Sequence, residues 1–173
     1  MLDLITGIIK PKKGGIYLSG QNIKNINIYS WREKIGIVMQ ENFFKNDTLA
    51  SNIALDKKID RKKIKKSLIE ANAWEFVSSL TNGIDEMVLD RGLRFSGGER
   101  QRIAIARCLL RRDKLLLFDE ISSSLDKKCL QDLQNFLLDL PWENSIVFTS
   151  HNSEFHLDCK IELKLIQKQW III

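Results

Sequence analysis

Four side chains of this sequence would suit hydrolytic chemistry if the fold brought them together: Gln40, Asp119, Glu120 and His151. Each lies just beyond an apolar run, Ile35 to Met39, Leu115 to Phe118 or Ile146 to Phe148. One such ending says little, because chains turn where strands stop and turns are polar. Parallel strands, however, place all their carboxyl ends on one edge of a sheet, where open α/β sheets hold ligands. A Gln, two carboxylates and an imidazole on one edge suit a metal-bound phosphate and an attacking water. By charge, Asp119 would hold Mg²⁺, usually through waters that this ion keeps. Glu120 would orient or deprotonate a water for attack on a γ-phosphate. His151 would hydrogen-bond that phosphate and stabilise the charge developing on it.

A second chemical feature is Phe95-Ser96-Gly97-Gly98-Glu99. Ser96 followed three residues later by Glu99 is a capping box, which on its own predicts only a well-started helix. That explains Ser96 and Glu99 and leaves the glycines, which lower helix propensity by up to about 1 kcal/mol each at interior positions. Two glycines at a helix start fit a site where a ligand must approach the backbone, and a helix N-terminus attracts anions, phosphate above all. Both readings stand at this point.

The elements that would position these residues follow from periodicity. Leu2, Ile5 and Ile9 share a helical face over Met1 to Lys10, stopping at Pro11, and Ile16 to Leu18 reads as a short strand. From about Asp56 to Leu80 the apolar period becomes 3.6, with Ile64, Leu68, Ala71, Trp74 and Val77 on one face. A second helix is expected from Ser96 to about Arg112. The strand at 115–118, a helix bearing Leu130, Leu133 and Leu137, and the strand at 146–148 form a βαβ unit, hence parallel strands with a right-handed crossover. Residues 161–173 alternate and then turn apolar, which suits strands at a sheet edge. The fold class is α/β, with a helical insertion over about 56–112.

Composition narrows the class. The chain has 173 residues, room for one domain and hardly two. With 44% hydrophobic and 28% charged residues it is globular rather than disordered. No apolar stretch approaches the ~20 residues that span a bilayer, and no secretion signal opens the chain. It reads as soluble and intracellular. Cys108, Cys129 and Cys159 form no Cys-x-x-Cys pair and read as reduced core thiols. A net charge of +5 is too small to argue for nucleic acid, and Asp56 and Asp60 interrupt the basic run at 57–66, which reads as a solvated helix face. Trp74, Phe76 and Trp142 read as core or rim packing, and His156 takes no role.

In order along the chain, these segments resemble the nucleotide-binding domain of an ATP-binding cassette (ABC) transporter. Phe95 to Arg102 is similar to that family's signature motif, and Ile103-Ala104-Ile105-Ala106-Arg107 continues as the family does. Leu115 to Glu120 resembles the Walker B strand with its catalytic Glu, and Ser123-Ser124-Leu125-Asp126 resembles the D-loop. Gln40 resembles the Q-loop glutamine, His151 the switch histidine, and Thr48 to Ile53 a segment of exporter-type members. Glu99 stands where many members have Gln.

The resemblance implies a P-loop NTPase-like parallel sheet core, about 1–55 and 113–173, with an inserted helical subdomain at about 56–112. It implies ATP and Mg²⁺ as cofactors, Gln40, Glu120 and His151 in catalysis, and Asp119 with Gln40 toward Mg²⁺ through water. Ser96, Gly97, Gly98, Glu99 and Asp126 would contact nucleotide. The implied partners are a second such ATPase domain, paired head to tail so that each signature covers the other's ATP, and a transmembrane domain that holds the soluble chain on the cytoplasmic side of a membrane. No nucleic acid is expected.

One departure is large. The family's Gly-rich Walker A loop, ending in Gly-Lys-Ser/Thr, would sit just before Leu2 to Gly7, and Met1 stands where it would end. The expectation is a domain incomplete at its N-terminus, lacking the N–H cradle, the phosphate-binding Lys and the Mg²⁺-binding hydroxyl. Such a chain alone would not hydrolyse ATP appreciably. Two readings follow: the motor of an exporter, present as a fragment; or, alternatively, a non-catalytic product, either a half-domain that donates its signature to a partner or a truncated product without function.

Overall fold

The computed structural model describes residues 2–18, 20–55, 58, 60–111, 115–120, 127–139, 145–150, 163–166 and 169–172. Helix α1 spans Leu2–Ile5 and ends sooner than the apolar spacing suggests, because Gly7 turns left-handed at φ 68° and the chain folds back so that the N–H groups of Ile8 and Ile9 reach Asp3 O. Strands β1 (Tyr17–Leu18) and β2 (Gln21–Asn22) form a small antiparallel hairpin. Helix α2 (Ile28–Arg32) starts at Asn27, whose Oδ1 accepts from the N–H groups of Tyr29 and Ser30. Its Trp31 indole donates to Ile5 O at 2.8 Å and its Arg32 Nε to Thr6 O at 3.1 Å, so α2 holds the carboxyl end of α1.

Strand β3 (Ile35–Val38) is followed by β4 (Asp47–Thr48), α3 (Leu49–Ala54), α4 (Arg61–Glu70), α5 (Trp74–Ser79) and β5 (Met87–Val88), which pairs antiparallel with β4. The single helical stretch expected over 56–80 is two helices. Asn72, left-handed at φ 53°, breaks it, so Trp74 and Val77 start a new axis while still facing the core. Helical structure also begins earlier, at Leu49, where the Thr48 hydroxyl caps α3 by accepting from Ser51 N–H. Helix α6 (Gly97–Arg111) is close to its expected span. Then come β6 (Leu115–Phe118), α7 (Lys127–Asp139) and β7 (Ser145–Phe148), and finally β8 (Leu163–Ile166) and β9 (Gln169–Ile172), an antiparallel pair.

The expected βαβ unit is present. Strand β6 lies between β3 and β7, parallel to both, with Val38, Phe118 and Phe148 in one row. Both faces of β6 are covered, which is why it reads as an unbroken apolar run. Leu116 and Phe118 enter the large core with Leu49, Ile64, Leu68 and Ile103, while Leu117 faces Leu2, Trp31 and Ile35. Burying each such side chain contributes about 1.5–3 kcal/mol. Cys108 is buried in the larger core, as expected of a core thiol, and Trp74 and Phe76 pack against its rim. Trp142 and Cys159 lie outside the described residues.

Candidate functional site

The in-register ends of three parallel strands set the geometry of one edge. The ladder continues a residue further: Asp119 N–H donates to Val38 O and Thr149 N–H to Phe118 O, both at 2.9 Å. Asp119 and Glu120 are half-buried there, one and two residues past Phe118. Gln40 stands two residues past Val38 on an exposed turn. That turn is clamped by Asn42, whose Oδ1 accepts from Met39 N–H and whose Nδ2 donates to Met39 O. Gln40, Asp119 and Glu120 therefore share the carboxyl edge of the sheet. His151 and Asp126 lie outside the described residues, as do Ser123, Ser124 and Leu125.

Thr149, which no motif marks, joins the two acids. Its Oγ1 accepts from Glu120 N–H at 3.0 Å and donates to Asp119 Oδ1 at 3.0 Å. Glu120 itself is left-handed at φ 48°, a conformation uncommon for a residue with a side chain. A signal existed in the sequence: a hydroxyl side chain one place past β7, level with an acid one place past β6.

The other predicted residues stand on a different element, the start of α6. The capping box forms, with Glu99 N–H donating to Ser96 Oγ at 3.2 Å and Ser96 N–H to Glu99 Oε2 at 2.7 Å. Neither Gly97 nor Gly98 takes a left-handed φ, so backbone conformation does not demand glycine at these positions. Both lie half-exposed in the first turn of α6. Phe95 fixes this end to the core, buried and edge-on to Phe76 with ring centroids 6.3 Å apart. Just upstream, Asp90, Arg91 and Gly92 are all left-handed, and a Cβ on Gly92 would meet the Phe44 ring at 3.2 Å.

A buried cation joins α6 to the chain beyond Gln40. Arg107 donates through Nε to Asn52 O at 2.8 Å and through one terminal nitrogen to Phe43 O at 2.7 Å, and its guanidinium lies 4.3 Å from the Phe44 ring centroid. Burial pulls the Arg107 pKa down to about 10, which leaves it charged at neutral pH. Asn52 completes the clamp, accepting from Lys45 N–H and donating to Lys45 O and Thr48 O.

The donor set at the sheet edge fits the implied Mg²⁺. One carboxylate and an amide oxygen suit a hard ion that binds one or two carboxylates, phosphate oxygens and its own waters. Among the described residues no group of three or more His, Cys, Asp and Glu side chains gathers. Residues 1–173 contain no Gly-x-x-x-x-Gly-Lys-Ser/Thr sequence that would cradle the phosphates. An open cavity of about 330 Å³, lined by Thr6, Ile8, Arg32, Ile35, Ile37 and Arg111, lies toward the amino end of β3 rather than at the carboxylates. On α4 the basic run pairs with its own surroundings: Arg61 with Asp85 at 2.7 Å, Lys66 with Glu70 at 3.6 Å, and Lys65 over the Trp74 ring at 4.6 Å.

Comparison with known proteins agrees over most of the chain. The family described as ABC transporter matches residues 1–123. The chain is 34% identical over 153 residues to the ATP-dependent lipid A-core flippase of Thiobacillus denitrificans, covering 87% of this chain and 26% of that protein. It is 37% identical over 152 residues to ABC transporter B family member 14 of Arabidopsis thaliana, covering 87% of this chain and 12% of that protein. Among solved structures, a bacterial Atm1-family ABC exporter with ATP bound superposes with a TM-score of 0.89 at 32% identity, covering 98% of this chain and 30% of that one. The chain thus spans about a quarter of the flippase and less of the plant relative. Among the described residues no helix is long and apolar enough to cross a membrane.

Proposed function

The chain belongs to the ABC transporter family as an ATP-binding domain, and from that premise we propose that residues 1–173 couple ATP hydrolysis to export across a membrane. The observation that supports the assignment of roles is the parallel pairing of β3, β6 and β7, whose carboxyl ends lead into Gln40, into Asp119 and Glu120, and into Thr149 on one edge. Bound Mg²⁺ supplies neutralisation of charge on the phosphate oxygens. Asp119, with Gln40, would hold that ion through water. Glu120 accepts a proton from, or orients, the attacking water, and His151 hydrogen-bonds the γ-phosphate.

In this reading Ser96, Gly97, Gly98 and Glu99, with Asp126, contact ATP held by a second ATPase domain in a head-to-tail pair. The half-exposed first turn of α6, with its two glycines and the capping box of Ser96 and Glu99, supports this. A transmembrane domain supplies the export path and keeps the ATPase on the cytoplasmic side. Hydrolysis in this reading also requires a phosphate cradle, and residues 1–173 contain no Walker A sequence.

The test is Mg-ATP turnover by the transporter subunit that carries these residues. Glu120→Gln is expected to lower kcat by about 10²–10⁴-fold while ATP still drives association with a second domain. Turnover unchanged by Glu120→Gln removes the catalytic reading. ATP-driven association without any turnover in the parent would assign the signature-donor role instead.

A further inference from the structure

We propose that Thr149 is a positioning residue, whose hydroxyl sets the placement of both acidic side chains at the sheet edge. The inference rests on the roles proposed above for Asp119 and Glu120. Two backbone bonds fix the frame: Asp119 N–H to Val38 O and Thr149 N–H to Phe118 O, each 2.9 Å. Within that frame Thr149 Oγ1 has one proton and receives another group's proton. It accepts from Glu120 N–H at 3.0 Å, so its own hydrogen points to Asp119 Oδ1, also 3.0 Å away. The direction of both bonds is settled because an amide only donates and an ionised carboxylate only accepts.

Two consequences follow from one hydroxyl. The Asp119 carboxylate is held in one rotamer, which is how partners of metal-binding carboxylates commonly act. The second concerns the backbone of Glu120, left-handed at φ 48°. Such a conformation costs on the order of 1–3 kcal/mol and persists only where its surroundings over-determine it. The bond from Glu120 N–H to Thr149 supplies part of that determination, and turns the chain so that Glu120 does not simply continue the line of β6. Thr149 thereby couples the ion-holding acid to the water-activating acid without touching either reactant.

Thr149→Val keeps the shape and removes the hydroxyl, while Thr149→Ser keeps the hydroxyl. In the transporter subunit that carries these residues, Thr149→Val is expected to lower kcat about 10–100-fold, the range seen when such outer partners are removed. KM for ATP should stay within about twofold, because this bond orders reacting groups rather than binding nucleotide. Thr149→Ser should restore kcat, and Thr149→Ala stands in for Thr149→Val if that variant does not fold. Parent-like turnover in Thr149→Val or Thr149→Ala, or a Thr149→Ser variant as slow as they are, overturns the proposal.

A second measurement separates this inference from the reading beneath it. If the parent shows no turnover that depends on Glu120, the proposed roles fail, and hydrogen exchange of the Glu120 amide in the 173-residue chain decides the bridge alone. Exchange slow in the parent and Thr149→Ser, and about tenfold or more faster without the hydroxyl, supports the bridge. Equal exchange in all of them overturns it.

Discussion

The start of α6 and the carboxyl edge of the sheet, where the proposed site residues stand, are held by different forces. Behind Ser96 stands a packed mass of helices: Ile53, Ile64, Leu68, Val77 and Ile103 are fully buried together, and Phe95 is inserted beside Phe76. Behind Asp119 stand strands of four residues each, and the acids themselves lie past the last ladder pair, ordered by single hydrogen bonds to Val38 O and Thr149. Apolar packing is non-directional and tolerates exchange of one aliphatic residue for another. A hydrogen bond to one oxygen does not. The packing behind the start of α6 is therefore robust to sequence change, and the carboxylate end is exacting.

Arg107 is where that contrast is most open to being broken. It brings directional bonding into the middle of the helical packing, reaching Asn52 O and Phe43 O. Arg107→Met should destabilise the chain by about 2–4 kcal/mol, because buried carbonyl groups lose their partners and the apolar replacement recovers only the packing. Denaturant unfolding measures this. The loss should appear first as faster amide exchange in α3 and in residues 43–46, before β6 is affected. Simultaneous loosening of β6 would mean that the two regions are one cooperative unit.

A smaller effect sharpens the comparison at the helix end. Ser96→Ala removes the cap to Glu99 N–H and should cost about 1 kcal/mol, seen as fraying of the first turn of α6 in amide exchange with the rest of the helix unmoved. Loss of the whole helix would show that the cap, rather than Phe95 and the core, holds this end.

The smallest effect is acid sensitivity, expected to fall on the helical side. Hydrogen bonds hold the carboxyls of Asp47 (from Ser51), Asp60 (from Lys63 N–H), Asp85 (from Arg61) and Glu86 (from Arg94) below their ordinary range. A depressed folded pKa contributes stability that is full above the unfolded value and is lost as pH falls through the folded one. Asp60 and Asp85 are exposed, so solvent and salt weaken their contribution, whereas the Glu86 side chain is only 14% exposed beside Arg94. Protection of the amides near α3 and α4, relative to their intrinsic exchange rates at each pH, should fall as pH drops below the ordinary carboxylate range. A salt-independent acid transition would argue against these surface bonds as its origin.

The sequence made the sheet legible because buried parallel strands must be continuous apolar runs: 115–118 and the run at 35–38 needed no other information. It also brought Gln40, Asp119 and Glu120 to one edge, since that placement depends only on strand direction. The split between α4 and α5 was hidden because Ile64, Leu68, Trp74 and Val77 keep one helical period straight across Asn72, whose left-handed turn leaves no apolar trace. Thr149 was hidden for another reason. A hydroxyl's role lies in which atoms it meets, and those belong to a strand some thirty positions earlier.

The row formed by Val38, Phe118 and Phe148 carries one more implication. Side chains alternate between the faces of a strand, so removing or adding one residue within 115–118 would exchange Leu117 with its neighbours across the sheet and move Asp119 away from Thr149 together. Swapping one aliphatic residue for another there preserves the pattern, whereas a change in length by one does not. Over evolutionary or laboratory time, this segment should accept many spellings and a single count.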